Sequence, residues 1–486
     1  MNKPLRRVAI FCGLLVLALL IRVNYVQFVK ADELRTDTNN RRVAINQYAT
    51  PRGDILVDGK AVTGHAETNG SDFQYKATFK DGPLWAPVTG YASQAYGSTQ
   101  LESIYDSILT GDDDRLFFKR TVDILSGKQK QGGDVVTTLN AKAQKAAFEG
   151  LGKKKGAVAA IDPRTGAILA LASTPSYDPS SFAGNSKKDE KAWSSLLKAN
   201  NPDEPTLNRA LRQTYPPGST FKVVTAAAAL ENGLYSNIDD PTDSPVPYTL
   251  PNTQTELKNE GPIPCKNATL RVALQYSCNT VFGKIGADLG RDKMLDETQK
   301  FGFNQELFIP VRTAASNFSK TMDKPQTALS SIGQFETAAT PLQMAMVASA
   351  IANDGTLMTP YMVSELRAPS NAVVEHTKPK EFSQPLSPEN AQKLQQMMET
   401  VVSDGTGKNA QISGVTVGGK TGTAQHGVDN SESPYAWFIS YAKTDSGSPV
   451  AVAVVVEDAS ANRGDISGGG FAAPIAKSVM EAVLNK

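Results

Sequence analysis

The first 30 residues restrict the fold of the whole chain, because they hold one apolar segment behind a basic flank. Basic side chains at positions 3, 6 and 7 precede an apolar run over residues 8–21. A spanning helix needs about 20 residues, and apolar side chains as far as Phe28 extend the run toward that length. Since basic flanks stay in the cytoplasm, we expect residues 1–30 to be a cytoplasmic stub and transmembrane anchor. The remainder would then form the extracytoplasmic part of a single-pass cell-membrane protein.

A cleavable signal peptide is the alternative for this segment. Val29-Lys30-Ala31 loosely resembles the small-x-small pattern that precedes a cleavage site. The pattern lies far beyond the apolar run, so we favour an uncleaved anchor. In both cases the bulk of the chain is exported to a compartment where nucleotides are scarce.

The composition beyond the anchor is that of an ordinary globular chain. Hydrophobic residues make up 40% and charged residues 20% of the 486 residues. This length predicts about two to four domains. The 50 Lys and Arg residues nearly balance the 49 Asp and Glu residues. With no long basic run, nucleic acid is not an expected partner.

The stretch GVTVGGKTGTA, residues 414–424, fits two motifs. Gly414, Gly419, Lys420 and Thr421 satisfy the phosphate-loop pattern of nucleotide-binding proteins. Lys420-Thr421-Gly422 also satisfies the K-T-G element of serine acyl-enzymes that recognise penicillin. A phosphate loop must open a helix, whereas more glycines follow here, so an NTPase is disfavoured. We interpret the stretch as a strand with a Gly-Gly bulge or close-approach point, at a sheet edge that lines a cleft.

A second motif occurs in TYPPGSTFKVVTAAAALENG, residues 214–233. Pro-Pro-Gly is a stop signal, and the apolar run after it predicts a buried helix that starts at Ser219. Ser219 and Lys222 are three residues apart, so their side chains share a helix face. A lysine desolvated among apolar residues loses affinity for its proton, and it can then activate the serine as a nucleophile without a histidine.

Short motifs recur by chance, and only one set stands in a consistent order. Ser195 and Lys198 repeat S-x-x-K in a polar stretch that we interpret as a surface helix end. S-x-N occurs at Ser277-Cys278-Asn279 and again at residues 460–462, in an expected loop. Only the first of these gives the order S-x-x-K, S-x-N, K-T-G.

Histidine and metal chemistry are not expected. His426 follows the K-T-G segment closely, but the chain has no G-x-S-x-G elbow, so a Ser-His-Asp triad is disfavoured. No set of cysteines and histidines has zinc-ligand spacing. The sequence therefore predicts neither a metal nor a cofactor.

With the three motifs in order, the chain resembles the class B penicillin-binding proteins, and most closely their actinobacterial penicillin-binding protein A group. Matching stretches run through almost the whole chain. They include PRGDI, APVTGYAS, KGAVAAIDPRTGAILALASTPSYDP, LNRALRQTYPPGSTFK, SSIGQFETAATPLQMA, GGKTGTAQHG and YAWFISYA.

The resemblance implies the penicillin-binding transpeptidase fold, of the α/β (α+β) class. We expect an antiparallel sheet covered by helices plus a helical lobe over residues 151–486, behind a small non-catalytic α+β pedestal domain over residues 31–150. Paired apolar runs at residues 156–173 and 434–458 predict two hairpins of that sheet, and a final helix returns onto it. In the pedestal, RRVAINQYA and FQYKATF are interpreted as strands.

The resemblance also implies a serine-type peptidoglycan D,D-transpeptidase. Ser219 would attack the D-alanyl carbonyl of a stem peptide with Lys222 as general base, and β-lactam antibiotics would acylate the same serine. Ser277 and Lys420 would relay the proton to the leaving group, and Asn279 would hold Lys222 and the substrate. The remaining expected contacts are a substrate carboxylate site at Thr421, Gly422 and Thr423, and an oxyanion hole from the backbone N–H groups of Ser219 and Thr423.

Partners and alternatives follow from the same resemblance. We expect the enzyme to serve cell-wall synthesis at the septum, with a membrane-embedded glycan polymerase and division or growth proteins as partners. A membrane-bound β-lactamase or a β-lactam sensor of the same fold is the alternative. No E-x-x-x-N element, which could activate water for deacylation, lies between the second and third motifs.

Cysteine usage suggests one disulfide. Cys12 lies in the membrane run, which leaves Cys265 and Cys278 in the exported part, where oxidation is permitted. Cys278 is the middle residue of S-x-N, so a bond to Cys265 would fix Ser277 and Asn279. Two buried free thiols are the alternative.

Overall fold

The computed structural model describes residues 3–36, 40–70, 72–117, 127, 129–198, 201–425, 427, 431–457 and 466–485. At the N-terminus, Lys3–Asn24 is an α-helix that Tyr25–Val29 continues with a wider turn. None of the described residues of this helix is buried, and the helix is long and apolar enough to cross a membrane. It is therefore a candidate single-pass anchor.

The strands of the described residues are numbered here in chain order. They are β1 (Ile55–Val57), β2 (Lys60–Ala61), β3 (Thr63–Glu67), β4 (Tyr75–Phe79), β5 (Ala92–Ser93), β6 (Gly97–Ser98), β7 (Asp134–Thr137), β8 (Lys155–Ile161), β9 (Ile168–Thr174), β10 (Tyr248–Thr249), β11 (Glu256–Leu257), β12 (Leu357–Met358), β13 (Val363–Arg367), β14 (Val373–His376), β15 (Glu381–Ser383), β16 (Thr416–Ala424), β17 (Tyr435–Thr444) and β18 (Gly447–Glu457).

The α-helices beyond the anchor are mostly short. They are Ala31–Thr36, Arg41–Gln47, Gly82–Thr89, Gln100–Ile104, Asp106–Thr110, Ala141–Leu151, Lys187–Leu196, Arg209–Arg212, Lys222–Glu231, Leu270–Gln275, Asn279–Leu289, Arg291–Lys300, Lys324–Ser330, Pro341–Ala352, Pro388–Ser403 and Ala473–Leu484.

The larger sheet is antiparallel, with strand order β16-β17-β18-β8-β9. Both predicted hairpins are confirmed, since β8 pairs with β9 and β17 pairs with β18. Helices Ala141–Leu151 and Ala473–Leu484 cover one face, where Val452 and Val454 point. Helix Pro341–Ala352 covers the other face. Because both faces are buried, these strands are continuous apolar runs rather than alternating ones.

The helical lobe is built around helix Lys222–Glu231, in which every residue from Lys222 to Leu230 is buried. The helices Asn279–Leu289, Arg291–Lys300 and Pro388–Ser403 pack against it. This confirms the predicted buried helix, although its start was predicted at Ser219, which lies instead in a 3-10 turn over Gly218–Phe221. The lobe therefore supplies an apolar environment around the first residue of that helix.

One local prediction was wrong. Residues Arg41–Gln47, interpreted as a strand, form a helix. So short a run of apolar residues fits either period, and no strand among the described residues pairs with it. Of the two alternatives predicted for Gly418 and Gly419, the bulge is absent, because β16 and β17 pair in unbroken register from Thr416 to Ala424. The glycines are instead a close-approach point, where a Cβ at Gly418 would lie 2.3 Å from the Tyr441 ring.

The second sheet combines distant parts of the chain, in the order β14-β13-β7-β1-β2. Strand β7 pairs in parallel with β1 and antiparallel with β13. Strands β13 and β14 come from beyond residue 360, yet they complete a sheet whose other strands precede residue 138. The domain boundary at residue 150 stays a prediction. The sheet of the pedestal contains strands from both sides of that boundary.

A disulfide joins Cys265 to Cys278, at a sequence separation of 13 residues. Cys278 immediately precedes helix Asn279–Leu289 and is fully buried. Since a cross-link of this span restricts the unfolded chain, it stabilises the helical lobe by about 3 kcal/mol on the loop-entropy model.

Cys265→Ala is expected to lower the free energy of unfolding of the lobe by about 2 to 3 kcal/mol, because it frees that loop in the unfolded chain. Urea unfolding with and without dithiothreitol measures this. Reductant should bring the wild type to the level of the variant and leave the variant unchanged. Equal midpoints for oxidised and reduced wild type would contradict the assignment.

Candidate active site

The turn before helix Lys222–Glu231 holds Ser219 half-buried at the junction of the helical lobe and the sheet. Gly218 has a φ of 52°, and its N–H donates to the Gly333 carbonyl at 3.0 Å. A Cβ on Gly218 would lie 3.0 Å from the Thr423 carbonyl oxygen. Glycine is required here because the conformation is left-handed and β16 passes so closely.

The Lys222 side chain is completely buried and makes four polar contacts. Its Nζ lies 3.0 Å from Ser219 Oγ and 2.7 Å from Asn279 Oδ1. It also lies 2.6 Å from the Ser277 carbonyl oxygen and 3.1 Å from Ser277 Oγ. The predicted S-x-x-K pair and the S-x-N motif therefore meet at one nitrogen atom.

Burial lowers the pKa of Lys222 well below its usual value, and the Lys420 ammonium lowers this pKa further. The Glu260 carboxylate has the opposite effect and raises it. A neutral amine can donate to the Ser277 carbonyl and to Asn279 Oδ1 while its lone pair faces the Ser219 hydroxyl. The geometry is compatible with a neutral base at Lys222, and the lowered pKa favours it.

Ser277 stands between the two lysines. Its Oγ lies 3.1 Å from Lys222 Nζ and 2.9 Å from Lys420 Nζ. The residue has a φ of 61°, in the left-handed region that side chains rarely adopt. The adjoining disulfide and the helix that follows hold this conformation. One hydroxyl thus connects two amines that can exchange a proton through it.

The K-T-G segment lies on the edge strand β16. Lys420 is buried, and its Nζ also donates to the Thr421 carbonyl at 2.9 Å. Burial lowers the pKa of Lys420 to about 7, with Glu260 opposing the shift. A Cβ on Gly422 would lie 2.9 Å from the Pro217 carbonyl oxygen, so only glycine lets β16 approach the nucleophile turn this closely.

The structure brings together five predicted catalytic residues, which are Ser219, Lys222, Ser277, Asn279 and Lys420. Thr421, Gly422 and Thr423 form the adjoining wall, and the backbone of Thr423 lies against the turn that carries Ser219. This close approach suits a pair of amide donors from the two segments.

The competing motif matches lie elsewhere. Ser195 and Lys198 are exposed at the end of helix Lys187–Leu196, as predicted for a surface helix end. His426 and the second S-x-N at residues 460–462 fall outside the described residues. The ordered set of three motifs is therefore the one that converges on a single site.

Two residues near the site were not found from the sequence. Thr406 Oγ1 lies 2.6 Å from Thr421 Oγ1, and Glu260 acts electrostatically on both buried lysines. Thr406 follows helix Pro388–Ser403 in a loop without a motif. The spacing between Glu260 and the S-x-N motif matches no known pattern, so only the folded structure identifies Glu260.

Two family models match the chain. The penicillin-binding protein transpeptidase domain matches residues 156–481, and the penicillin-binding protein A dimerisation domain matches residues 52–135. The first match contains all the motifs that meet at Ser219. The second contains β1 to β6 and reaches the start of β7.

Relatives and solved structures agree with these matches. The peptidoglycan D,D-transpeptidase PbpA of Mycolicibacterium smegmatis is 39% identical, over 100% of both chains. The protein of the same name from Mycobacterium tuberculosis H37Rv is also 39% identical, over 100% of this chain and 99% of its own length. The ceftriaxone acyl-enzyme complex of penicillin-binding protein A from M. tuberculosis superimposes with a TM-score of 0.84 at 37% identity, covering 90% of this chain and all of that chain. The chain thus belongs to the penicillin-binding protein transpeptidase family.

Proposed function

We propose that this protein is a membrane-anchored peptidoglycan D,D-transpeptidase that works through an acyl-enzyme at Ser219. The observation that carries the proposal is the 3.0 Å contact between Ser219 Oγ and the buried Lys222 Nζ. Burial lowers the pKa of this amine well below its usual value, which favours the neutral form that can take the serine proton.

In the first half-reaction, Lys222 accepts the Ser219 proton while Oγ attacks the carbonyl of the penultimate D-alanine of a stem peptide. The carbon–nitrogen bond to the terminal D-alanine then breaks. Ser277 passes the proton from Lys222 to the leaving nitrogen, and its contact with Lys420 at 2.9 Å keeps its hydroxyl oriented. An acyl ester on Ser219 and free D-alanine result.

In the second half-reaction, an amine of a neighbouring stem peptide attacks the ester and Lys222 removes a proton from it. A new amide bond forms, the ester bond breaks and Ser219 recovers its proton. This closes the cross-link and restores the enzyme.

The K-T-G segment would bind the substrate. The positive charge of Lys420 and the hydroxyls of Thr421 and Thr423 suit the terminal carboxylate of the donor peptide. Thr406, at 2.6 Å from Thr421 Oγ1, orients that hydroxyl. The N–H groups of Ser219 and Thr423 would bind the oxyanion, where loss of one donor typically costs about 3 to 4 kcal/mol of transition-state stabilisation. β-Lactams, which also carry a carboxylate beside an acyl group, would acylate Ser219.

The cellular setting follows from the anchor and the disulfide. With the basic flank in the cytoplasm, the catalytic part would lie outside the membrane, where a Cys265–Cys278 bond persists. The enzyme would act with a membrane-embedded glycan polymerase and with division or growth proteins, in septal cell-wall synthesis.

Detergent-solubilised full-length protein is expected to gain the mass of one penicillin, in an adduct that persists for many minutes. Ser219→Ala should give no adduct, because it removes the nucleophile, whereas Ser195→Ala, in the exposed S-x-x-K match, should react like the wild type. Intact-protein mass spectrometry measures both. An adduct on Ser219→Ala would contradict the assignment of the nucleophile, and rapid turnover to hydrolysed drug would point to a β-lactamase.

The second-order rate of acylation by benzylpenicillin is expected to depend on pH in a bell shape. The rate rises as Lys222 loses its proton, at a pH well below the usual lysine value, because the neutral amine is the base. It falls as Lys420 deprotonates with a pKa of about 7, because the carboxylate then loses its cation.

The methyl ester of the same penicillin is the matched control for this profile. It carries no carboxylate for Lys420, so its acylation rate should keep the rising limb and lose most of the falling limb. Stopped-flow acylation between pH 5 and pH 10, values chosen to bracket the lysine pKa near 7, supplies both curves. A rate that still rises steadily to pH 10 for benzylpenicillin would contradict these assignments.

A further inference from the structure

A loop that is held by hydrogen bonds and a disulfide borders the active site on the side of the S-x-N motif. Asn279 Nδ2 donates to the Lys258 carbonyl at 3.1 Å. Asn259 exchanges two hydrogen bonds with Thr280, at 3.0 and 3.1 Å. The loop then runs to the Cys265–Cys278 disulfide. Glu260 lies between these attachments, so its backbone is held beside the catalytic group.

The Glu260 side chain is exposed, and within the described part of the chain its carboxylate has neither an ion-pair nor a hydrogen-bond partner. Its charge nevertheless acts on both buried amines, since it opposes the lowering of the pKa of Lys222 and of Lys420. By contrast, the neighbouring Glu256 is paired with Lys258 at 3.5 Å. Within the described residues, Glu260 is thus an exposed carboxylate without a protein partner, on the loop that hydrogen bonds hold beside the catalytic group.

The second half-reaction needs such a group. The acyl acceptor is a primary amine, which is an ammonium ion at neutral pH. This cation must approach an acyl ester that lies beside Lys420, and the positive charge of that lysine repels it. A carboxylate at the rim offsets that repulsion and gives the ammonium a defined place to bind.

We propose that Glu260 is the specificity-determining residue for the acyl acceptor, and that it binds the acceptor's ammonium group before attack. The inference rests on the proposed transpeptidase function. The bound ammonium loses one proton to solvent at the exposed carboxylate, and the neutral amine attacks the acyl carbon. Lys222 takes the second proton and returns it to Ser219 Oγ as the ester bond breaks. Acceptors with a net positive charge are preferred over zwitterionic amino acids and over water.

The test separates acyl transfer from acylation. Detergent-solubilised full-length enzyme is given an N-acyl-D-alanyl thioester donor with glycinamide, a cationic acceptor, or with glycine, a zwitterionic one. The measured quantity is the ratio of amide product to hydrolysed product. For Glu260→Gln we expect this ratio with glycinamide to fall about tenfold, while penicillin acylation changes less than about threefold. Glu260→Asp should restore part of the ratio.

Glu256→Gln is the matched control, because it removes a carboxylate from the same loop that is already paired with Lys258. It should leave the ratio unchanged. For the wild type, added salt should lower the ratio with glycinamide more than with glycine, since screening weakens attraction of a net cation.

Two results would overturn the inference. One is an unchanged ratio in Glu260→Gln. The other is a parallel fall of acylation and transfer, which would show that Glu260 acts only through the lysines. A wild type that is not acylated by the thioester or by penicillin would instead refute the proposed function itself, so the two failures are distinguishable.

Discussion

The four polar contacts of the buried Lys222 amine determine how the rest of the site is arranged. An amine removed from water must find partners inside the protein, and here they come from two separate segments, the turn at Ser219 and the S-x-N motif. The apolar helix Lys222–Glu231 removes the water, while Ser277 and Asn279 replace its hydrogen bonds. The same burial that makes the lysine costly to accommodate also lowers its pKa and so favours its action as a base.

The close packing of the helical lobe against the sheet depends on glycines, because a side chain at these positions would prevent the contact. Gly218 and Gly422 face each other's segments at distances where a Cβ would collide with backbone oxygen. Gly333 packs against Gly218 from behind in the same way. These three glycines bring Ser219 and the K-T-G strand close enough for one substrate to contact both.

The sequence was most informative where a signal is local. The hairpins β8–β9 and β17–β18 follow from apolar runs around turn residues, and the start of helix Lys222–Glu231 follows from Pro-Pro-Gly. The meeting of the S-x-x-K, S-x-N and K-T-G residues was inferred from their order, and the structure supplies the distances. What failed or was missed depends on tertiary context. The helix Arg41–Gln47, the neighbour Thr406 and the position of Glu260 have no periodic pattern to identify them.

The pairing of β7 with β13 bears on how the chain reaches its native state. Val135 lies opposite Leu366, so roughly 230 residues must be synthesised between the two partners, or roughly 10 to 50 seconds of translation at ordinary rates. Until β13 arrives, β7 has one unsatisfied edge, although β1 is already available. The N-terminal sheet therefore cannot be completed before most of the catalytic domain has emerged. A long-range closure of this kind makes folding slow and favours a chaperone that shields the edge in the meantime.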